Sequence, residues 1–196
     1  MRSMKKRNTE RGFSLLELLV TVVIIVVVFA MAVFQLMPAL RSAHLDTASA
    51  VVQTQLRAAR ARAIGDRGEV IVTFDPTGTI ATTAPNITGF TRVTVPLPSD
   101  VKFFLFGGLP NTPDNFKPAA NAIDFDQSGA AGNSLKIRFE PNGSAIDDSG
   151  SLNNGAVYIA QTNNLNSQRA ITLLGATARV RTWKLAVQNG VATGWN

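Results

Sequence analysis

Glu17 is the residue whose setting most demands a chemical explanation. It is a carboxylate inside an apolar run, Phe13 to Met37, otherwise broken only by Ser14, Thr21 and Gln35. An isolated carboxylate in hydrocarbon costs about 3 kcal/mol or more, so such groups are ordinarily functional and partnered. Glu17 lies four residues after Phe13, about one helical turn. Cleavage after Gly12 would leave Phe13 with a free α-ammonium. Each chain would then bring one positive and one negative group into the same membrane. Chains staggered along an assembly could pair them.

A second set of charges lies near the C-terminus. From Arg169 to Asn196 there are Arg169, Arg179, Arg181 and Lys184 and no acidic residue. Thr177–Lys184 reads as a strand, which puts Arg179, Arg181 and Trp183 on one face and Lys184 on the other. Two guanidiniums and an indole could bind phosphates and stack on a base. The competing reading is a polar strand face paired with acidic side chains elsewhere.

The remaining candidates are weaker. His44 is the only histidine and there is no cysteine, so a metal centre or an activated nucleophile lacks partners, and His44 reads as a polar surface residue. Asp124-Phe125-Asp126-Gln127-Ser128-Gly129 opens like a calcium loop. Its twelfth position is Leu135, where a bidentate glutamate is needed, so it reads as a strand end running into a turn. Asp147 and Asp148 sit in a polar Asp-Asp-Ser-Gly-Ser loop with nothing apolar to raise a pKa. Arg57, Arg60, Arg62 and Arg67 could make an anion-binding helix; with Asp66 and Glu69 nearby, the favoured reading is a solvated face. No G-x-S-x-G, P-loop or G-x-G-x-x-G occurs. The expectation is no enzyme, no cofactor and no metal.

The elements that position these groups follow from periodicity. About 25 helical residues from Phe13 reach roughly 37 Å, enough to cross a hydrocarbon core of about 30 Å. Val22–Val28 is almost all β-branched, but in lipid an isolated segment must satisfy its own backbone and is helical. The run is too long for an ordinary secretory signal and lacks a small-residue cleavage site directly after it. Net charge is +6, and residues 1–12 hold Arg2, Lys5, Lys6, Arg7 and Arg11 against Glu10. Most of the basic excess is therefore a topogenic signal that keeps the N-terminus cytoplasmic and sends the rest outward.

After Pro38, Leu45, Ala48, Val52, Leu56, Ala59 and Ala63 recur at helical steps, and Gly65 is the expected stop. This stripe should pack on a sheet. Strands are expected at Glu69–Phe74, Phe90–Val95, Val101–Phe106, Ala122–Asp126, Leu135–Glu140, Ala156–Gln161, Ala170–Leu174 and Thr177–Ala186. A Pro/Asn-rich loop lies between Gly107 and Ala120. Phe74-Asp75-Pro76-Thr77-Gly78 and Phe139-Glu140-Pro141-Asn142-Gly143 each read as a strand end and turn, followed by a segment that could pair back.

The run Arg11-Gly12-Phe13-Ser14-Leu15-Leu16-Glu17-Leu18-Leu19 resembles the cleavage and methylation region of type IV prepilins and type II secretion pseudopilins. That resemblance implies cutting by prepilin peptidase between Gly12 and Phe13, N-methylation of Phe13, and a role for Glu17 in neutralising a neighbouring N-terminus. Phe139-x-Pro141-x-Gly143, then Arg169-Ala170-Ile171-Thr172-Leu173 and a final strand after Gly175, resembles the GspH/FimT group of minor pilins and pseudopilins. Some FimT-type pilins carry a Gly-Arg-x-Arg element used to bind DNA. The similar stretch here is Ala178-Arg179-Val180-Arg181, with alanine in place of the glycine.

The expected fold is α+β: a long N-terminal helix, half transmembrane and half packed on the domain, with a C-terminal β-sheet or β-sandwich-like domain. The expected organisation is a leader over 1–12, a membrane and assembly helix over 13–38, its amphipathic continuation over 39–65 and a β-rich exported domain over 66–196. The expected partners are other pilins or pseudopilins, prepilin peptidase and the inner membrane. Double-stranded DNA is the alternative partner, through Arg179, Arg181, Lys184 and Arg169.

Overall fold

The computed structural model describes residues 14–118, 120–125 and 135–196. The expected leader, the Gly12–Phe13 junction and the Asp126–Gly129 part of the turn after Asp124 lie outside these residues.

One helix, α1, spans Leu15–Gly65 and contains Pro38. Ser14 caps it, its Oγ accepting from the Leu16 N–H at 3.2 Å, the role for which serine is suited. The chain divides into two compact units, residues up to Leu40 and Arg41–Asn196. Along the first unit the large apolar side chains are exposed, from Leu15 at 83% to Leu40 at 51%.

In the second unit α1 buries Leu45, Ala48, Ser49, Val52, Leu56, Ala59 and Ala63. The six apolar members are those marked by the three- and four-residue spacing of the sequence. The helix ends where Gly65 was expected, with the Gly68 N–H reaching back to the Ala63 carbonyl at 3.2 Å.

Eleven strands follow among the described residues, all antiparallel. They are β1 (Val70–Asp75), β2 (Thr79–Thr83), β3 (Val93–Pro96), β4 (Lys102–Phe103), β5 (Ile123–Asp124), β6 (Lys136–Phe139), β7 (Ala145–Ile146), β8 (Gly155–Ala160), β9 (Arg169–Leu174), β10 (Arg179–Gln188) and β11 (Val191–Trp195). One sheet runs β3-β2-β1-β6-β7. The other runs β11-β10-β9-β8-β4, with β5 also pairing β8.

Both proline turns close hairpins. Gly78 and Gly143 adopt φ of 105° and 84°, the conformation for which glycine is suited. In each turn the glycine N–H bonds to a carbonyl three residues back, Asp75 or Glu140, at 2.9 Å.

The sequence reading missed β11. Its signal was present: Asn189-Gly190 joins β10 to β11 with φ of 51° and 77°, the two-residue turn that matches strand twist. Val191–Trp195 is short and holds Thr193 and Gly194, so the turn rather than the strand was the legible part.

The inner faces of both sheets share one core with the helix stripe. Val72, Phe74, Ile137 and Phe139 come from the first sheet, and Val157, Ile159, Ile171 and Leu173 from the second. Strand β8 is buried at all six positions. Its other face is covered by a smaller cluster in which Phe116, Tyr158 and Ala170 pack with Leu105, Trp183 and Trp195. The Pro/Asn-rich segment is therefore a cover laid over the second sheet. The buried Gln168 amide fastens its start, accepting from the Phe106 N–H at 3.1 Å and donating to the Phe104 and Ile159 carbonyls at 3.0 and 3.2 Å.

His44 is an exposed polar residue with a carboxylate partner. Its Nδ1 lies 2.9 Å from Asp100 Oδ1, and Gln161 Nε2 donates to Asp100 Oδ2 at 2.7 Å. Partial burial alone would raise the Asp100 carboxyl. Hydrogen bonds from His44, its own backbone and Gln161, with the His44 charge, outweigh it and hold it below the usual aspartate value of 3.8.

Two predictions follow from local geometry. A Cβ on Gly175 would meet the backbone N and C of Asn153 at 2.7 Å, and rigid backbone cannot yield cheaply. Gly175→Ala should lower urea-unfolding stability by about 2 kcal/mol or more. Ala178 sits at φ 46° and is 3% exposed. Left-handed strain of about 1 kcal/mol is offset by a buried methyl worth about 0.8 kcal/mol, so Ala178→Gly should be neutral within about 1 kcal/mol. An unaffected Gly175→Ala protein would refute this account of the turn.

The lowered Asp100 pKa sets the sign of an acid dependence. Its contribution is fully present above 3.8 and is lost as pH falls through the depressed folded value. Asp100→Asn should therefore flatten the acid limb of a stability–pH profile measured by thermal melting. A limb as steep as that of the unmutated chain would show that Asp100 does not contribute.

Candidate functional site

The N-terminal site is built from a capped helix and one carboxylate. Thr21 satisfies its hydroxyl within the helix, donating to the Leu18 carbonyl at 2.8 Å. Glu17 lies exposed in the first turn, where the positive end of the helix dipole favours an anion. It has no hydrogen bond or ion pair among the described residues. The apolar stretch around it is long and apolar enough to cross a membrane.

The C-terminal basic face is built by β10 against β9. The register pairs Arg179 with Leu174, Arg181 with Thr172 and Trp183 with Ala170. Arg179, Arg181 and Trp183 therefore share a face, as alternation predicts. The Arg181 guanidinium lies 5.6 Å from the centre of the Trp183 ring.

This face is not left bare. Asp114, from the covering segment, accepts from the Thr172 hydroxyl at 2.6 Å and from Arg181 Nη1 at 2.8 Å. Trp183 Nε1 donates to the same Thr172 hydroxyl at 3.0 Å. Arg181 is thus neutralised and Trp183 half-buried, while Arg179 comes only within 3.9 Å of Asp114 and stays 54% exposed. The acidic partner weighed as the alternative exists, 67 residues from Arg181 in sequence. No local signal marked it, because an aspartate in a proline-rich loop looks like any turn residue.

Arg169 must be removed from the set of exposed cations. Its side chain is 5% exposed and pairs with Asp46 of α1 at 3.3 Å. Its Nη1 also faces the Asn166 and Gln168 carbonyls at 3.5 and 3.4 Å. It ties β9 to the helix and is not presented to a ligand. Lys184 is exposed. Its backbone pairs with Asn196 at the C-terminal edge, the two N–H···O distances being 2.7 and 2.9 Å.

Other titratable groups have structural settings. Burial, and then the nearby Asp124 charge, raise the Tyr158 hydroxyl above its usual range, so it remains neutral. Hydrogen bonds from Ser149 and the Ser151 backbone hold Asp147 low, as in an ordinary polar turn. Asp148 pairs with Lys136 at 2.7 Å and Arg138 at 3.1 Å and not with Asp147. Among the described residues no group of histidine and carboxylate side chains could hold a metal ion.

Residues 7–33 match the prokaryotic N-terminal methylation motif. No characterised protein matches the chain in sequence. Among solved structures, the type IV minor pilin FimU of Pseudomonas aeruginosa, strain PAO1, is similar at 11% identity with a TM-score of 0.45. The match covers 76% of this chain and 92% of that one. The chain thus carries the prokaryotic N-terminal methylation motif across the start of a long helix that two antiparallel sheets follow.

Proposed function

We propose that the protein is a minor pilin or pseudopilin, a structural subunit of a type IV pilus or a type II secretion pseudopilus, of the GspH/FimT kind. One observation carries this reading. The methylation motif over residues 7–33 coincides with an apolar helical surface left uncovered in the single chain. That surface needs a cover, first lipid and then the helices of neighbouring subunits.

The membrane steps of this scheme rest on charge and burial, and the processing steps on the methylation motif and the resemblance of residues 11–19 to prepilin cleavage sites. The basic residues of 1–12 hold the N-terminus in the cytoplasm while the apolar helix enters the inner membrane. Prepilin peptidase cuts between Gly12 and Phe13, and Phe13 is N-methylated. Methylation keeps the ammonium charge. Glu17 of one subunit then pairs with the amine of another, which offsets the cost of holding either charge in hydrocarbon. Residues 13–38 form the fibre core, 39–65 continue the helix into the domain, and 66–196 face outward. The protein has no catalytic role in this scheme.

A second reading is capture of double-stranded DNA through Arg179, Arg181 and Lys184. The exposure of Arg179 and the Arg181–Trp183 stack favour it. Asp114 works against it by holding Arg181.

Two outcomes test the structural reading. Mass spectrometry of membrane-derived protein should find a terminal peptide beginning at Phe13 with one added methyl group. A retained leader would leave only a plain membrane anchor. Glu17→Val should insert and be processed normally, yet fall by about tenfold or more in sheared fibres relative to membranes, as expected for loss of a buried charge pair. Normal fibre incorporation would sink the proposed role of Glu17.

A further inference from the structure

Arg57 and Arg60, three residues apart on α1, reappear in the folded domain beside Arg179 of β10. The three line a cavity of about 570 Å³ between the helix and the β9–β10 hairpin. Thr177 and Leu174 complete much of the wall, and among the described residues no acidic one lines it. A cavity of this size falls in the range of small-ligand sites, about 300–1,000 Å³.

The charges in this cleft are poorly compensated. Arg57 has no ion pair among the described residues and is exposed. Arg60 spends its Nε on the Gly143 carbonyl at 3.1 Å, which positions the guanidinium while leaving its two Nη groups. Arg179 reaches Asp114 only at 3.9 Å. Three like charges around one cavity repel one another, and an anion held among them relieves that repulsion. Guanidinium forks match phosphate oxygens two at a time, and charge-assisted bonds of this kind are the strong ones.

We propose that this cleft is a binding site for a phosphate-bearing anion, with Arg57, Arg60 and Arg179 as its ligands. The cleft is lined from both α1 and the β9–β10 hairpin, and Arg179 meets it from the β10 face that it shares with Arg181. It explains why Arg179 remains open while Arg181, two residues on, is neutralised. The Ala178 turn, with its left-handed φ of 46°, delivers Arg179 to the cleft mouth. The inference stands apart from fibre membership, since it concerns only the second compact unit. Phosphate could come from a small polyphosphate compound or from a nucleic-acid backbone.

The test uses the full chain in detergent micelles. Inorganic tripolyphosphate is titrated calorimetrically at low and high salt against the unmutated protein, Arg57→Gln/Arg179→Gln, and Arg181→Gln. Saturable binding should weaken with salt. It should fall about tenfold or more in the double variant, the loss expected for one or two charge-assisted hydrogen bonds, and change by about threefold or less in Arg181→Gln. Thermal melting should show all three proteins folded, because the altered side chains are exposed or half-exposed. No saturable binding at low salt, or equal affinities in the unmutated protein and the double variant, would overturn the proposal.

Labelled duplex DNA in the same series separates the sources. A parallel loss of duplex binding in the double variant makes nucleic-acid backbone the source. Tripolyphosphate binding without duplex binding makes it a small phosphate compound. Duplex binding that needs Arg181 alone, with tripolyphosphate binding indifferent to Arg57 and Arg179, rejects the cleft and leaves DNA on the β10 face.

Discussion

The second compact unit depends on a narrow stripe of α1. Leu45, Ala48, Ser49, Val52, Leu56, Ala59 and Ala63 are its buried residues, and four of the seven are alanine or serine. Small side chains let strands approach the helix closely, while Leu45, Val52 and Leu56 fill the spaces between. Phe74 and Phe139 from one sheet and Ile159 and Leu173 from the other meet at this stripe. Burial of a leucine- or phenylalanine-sized side chain is worth about 1.5–3 kcal/mol, so a domain without disulfides can rest on this shared core.

The same helix has a different problem nearer its start. Along Leu15–Leu40 no face is buried within the chain, and a soluble protein does not leave so much apolar area exposed. Ser14, Thr21 and Gln35 are neutral, and Ser14 and Thr21 bond locally. Glu17 is the exception, and its charge sets the chemistry of the segment. A free amine one turn away on a processed neighbour is the simplest group that could answer it.

The second sheet shows how a covering segment changes what a strand presents. Without the proline-rich segment, β10 would offer Arg179, Arg181 and Trp183 to solvent together. Asp114, Phe116 and the Pro110 carbonyl, which accepts from Trp195 Nε1 at 3.0 Å, partly cover that face, leaving Arg181 and Trp183 half-exposed. What remains free is Arg179, and its neighbours become α1 arginines that looked in sequence like a solvated helix face. A basic residue's role here was decided by which loop folded over it.

Periodicity and charge placement determined a great deal by themselves. The apolar run with its basic flank, the stripe ending at Ala63, the two Pro-x-Gly hairpins and the shared face of Arg179 and Arg181 were all legible. Each depends on residues within a turn or two of one another, where helix and strand geometry leave little choice. The Asn189-Gly190 turn was equally local and showed that a legible signal can still be passed over. Tertiary structure alone decided the rest. Asp46 claims Arg169 and Asp114 claims Arg181 across 123 and 67 residues. Asp100 meets His44 across 56, and the Arg57–Arg60–Arg179 cleft exists only because a hairpin lands beside a helix. Such pairings arise from the packing of whole sheets against one stripe, and no short stretch of sequence encodes which distant charge will arrive.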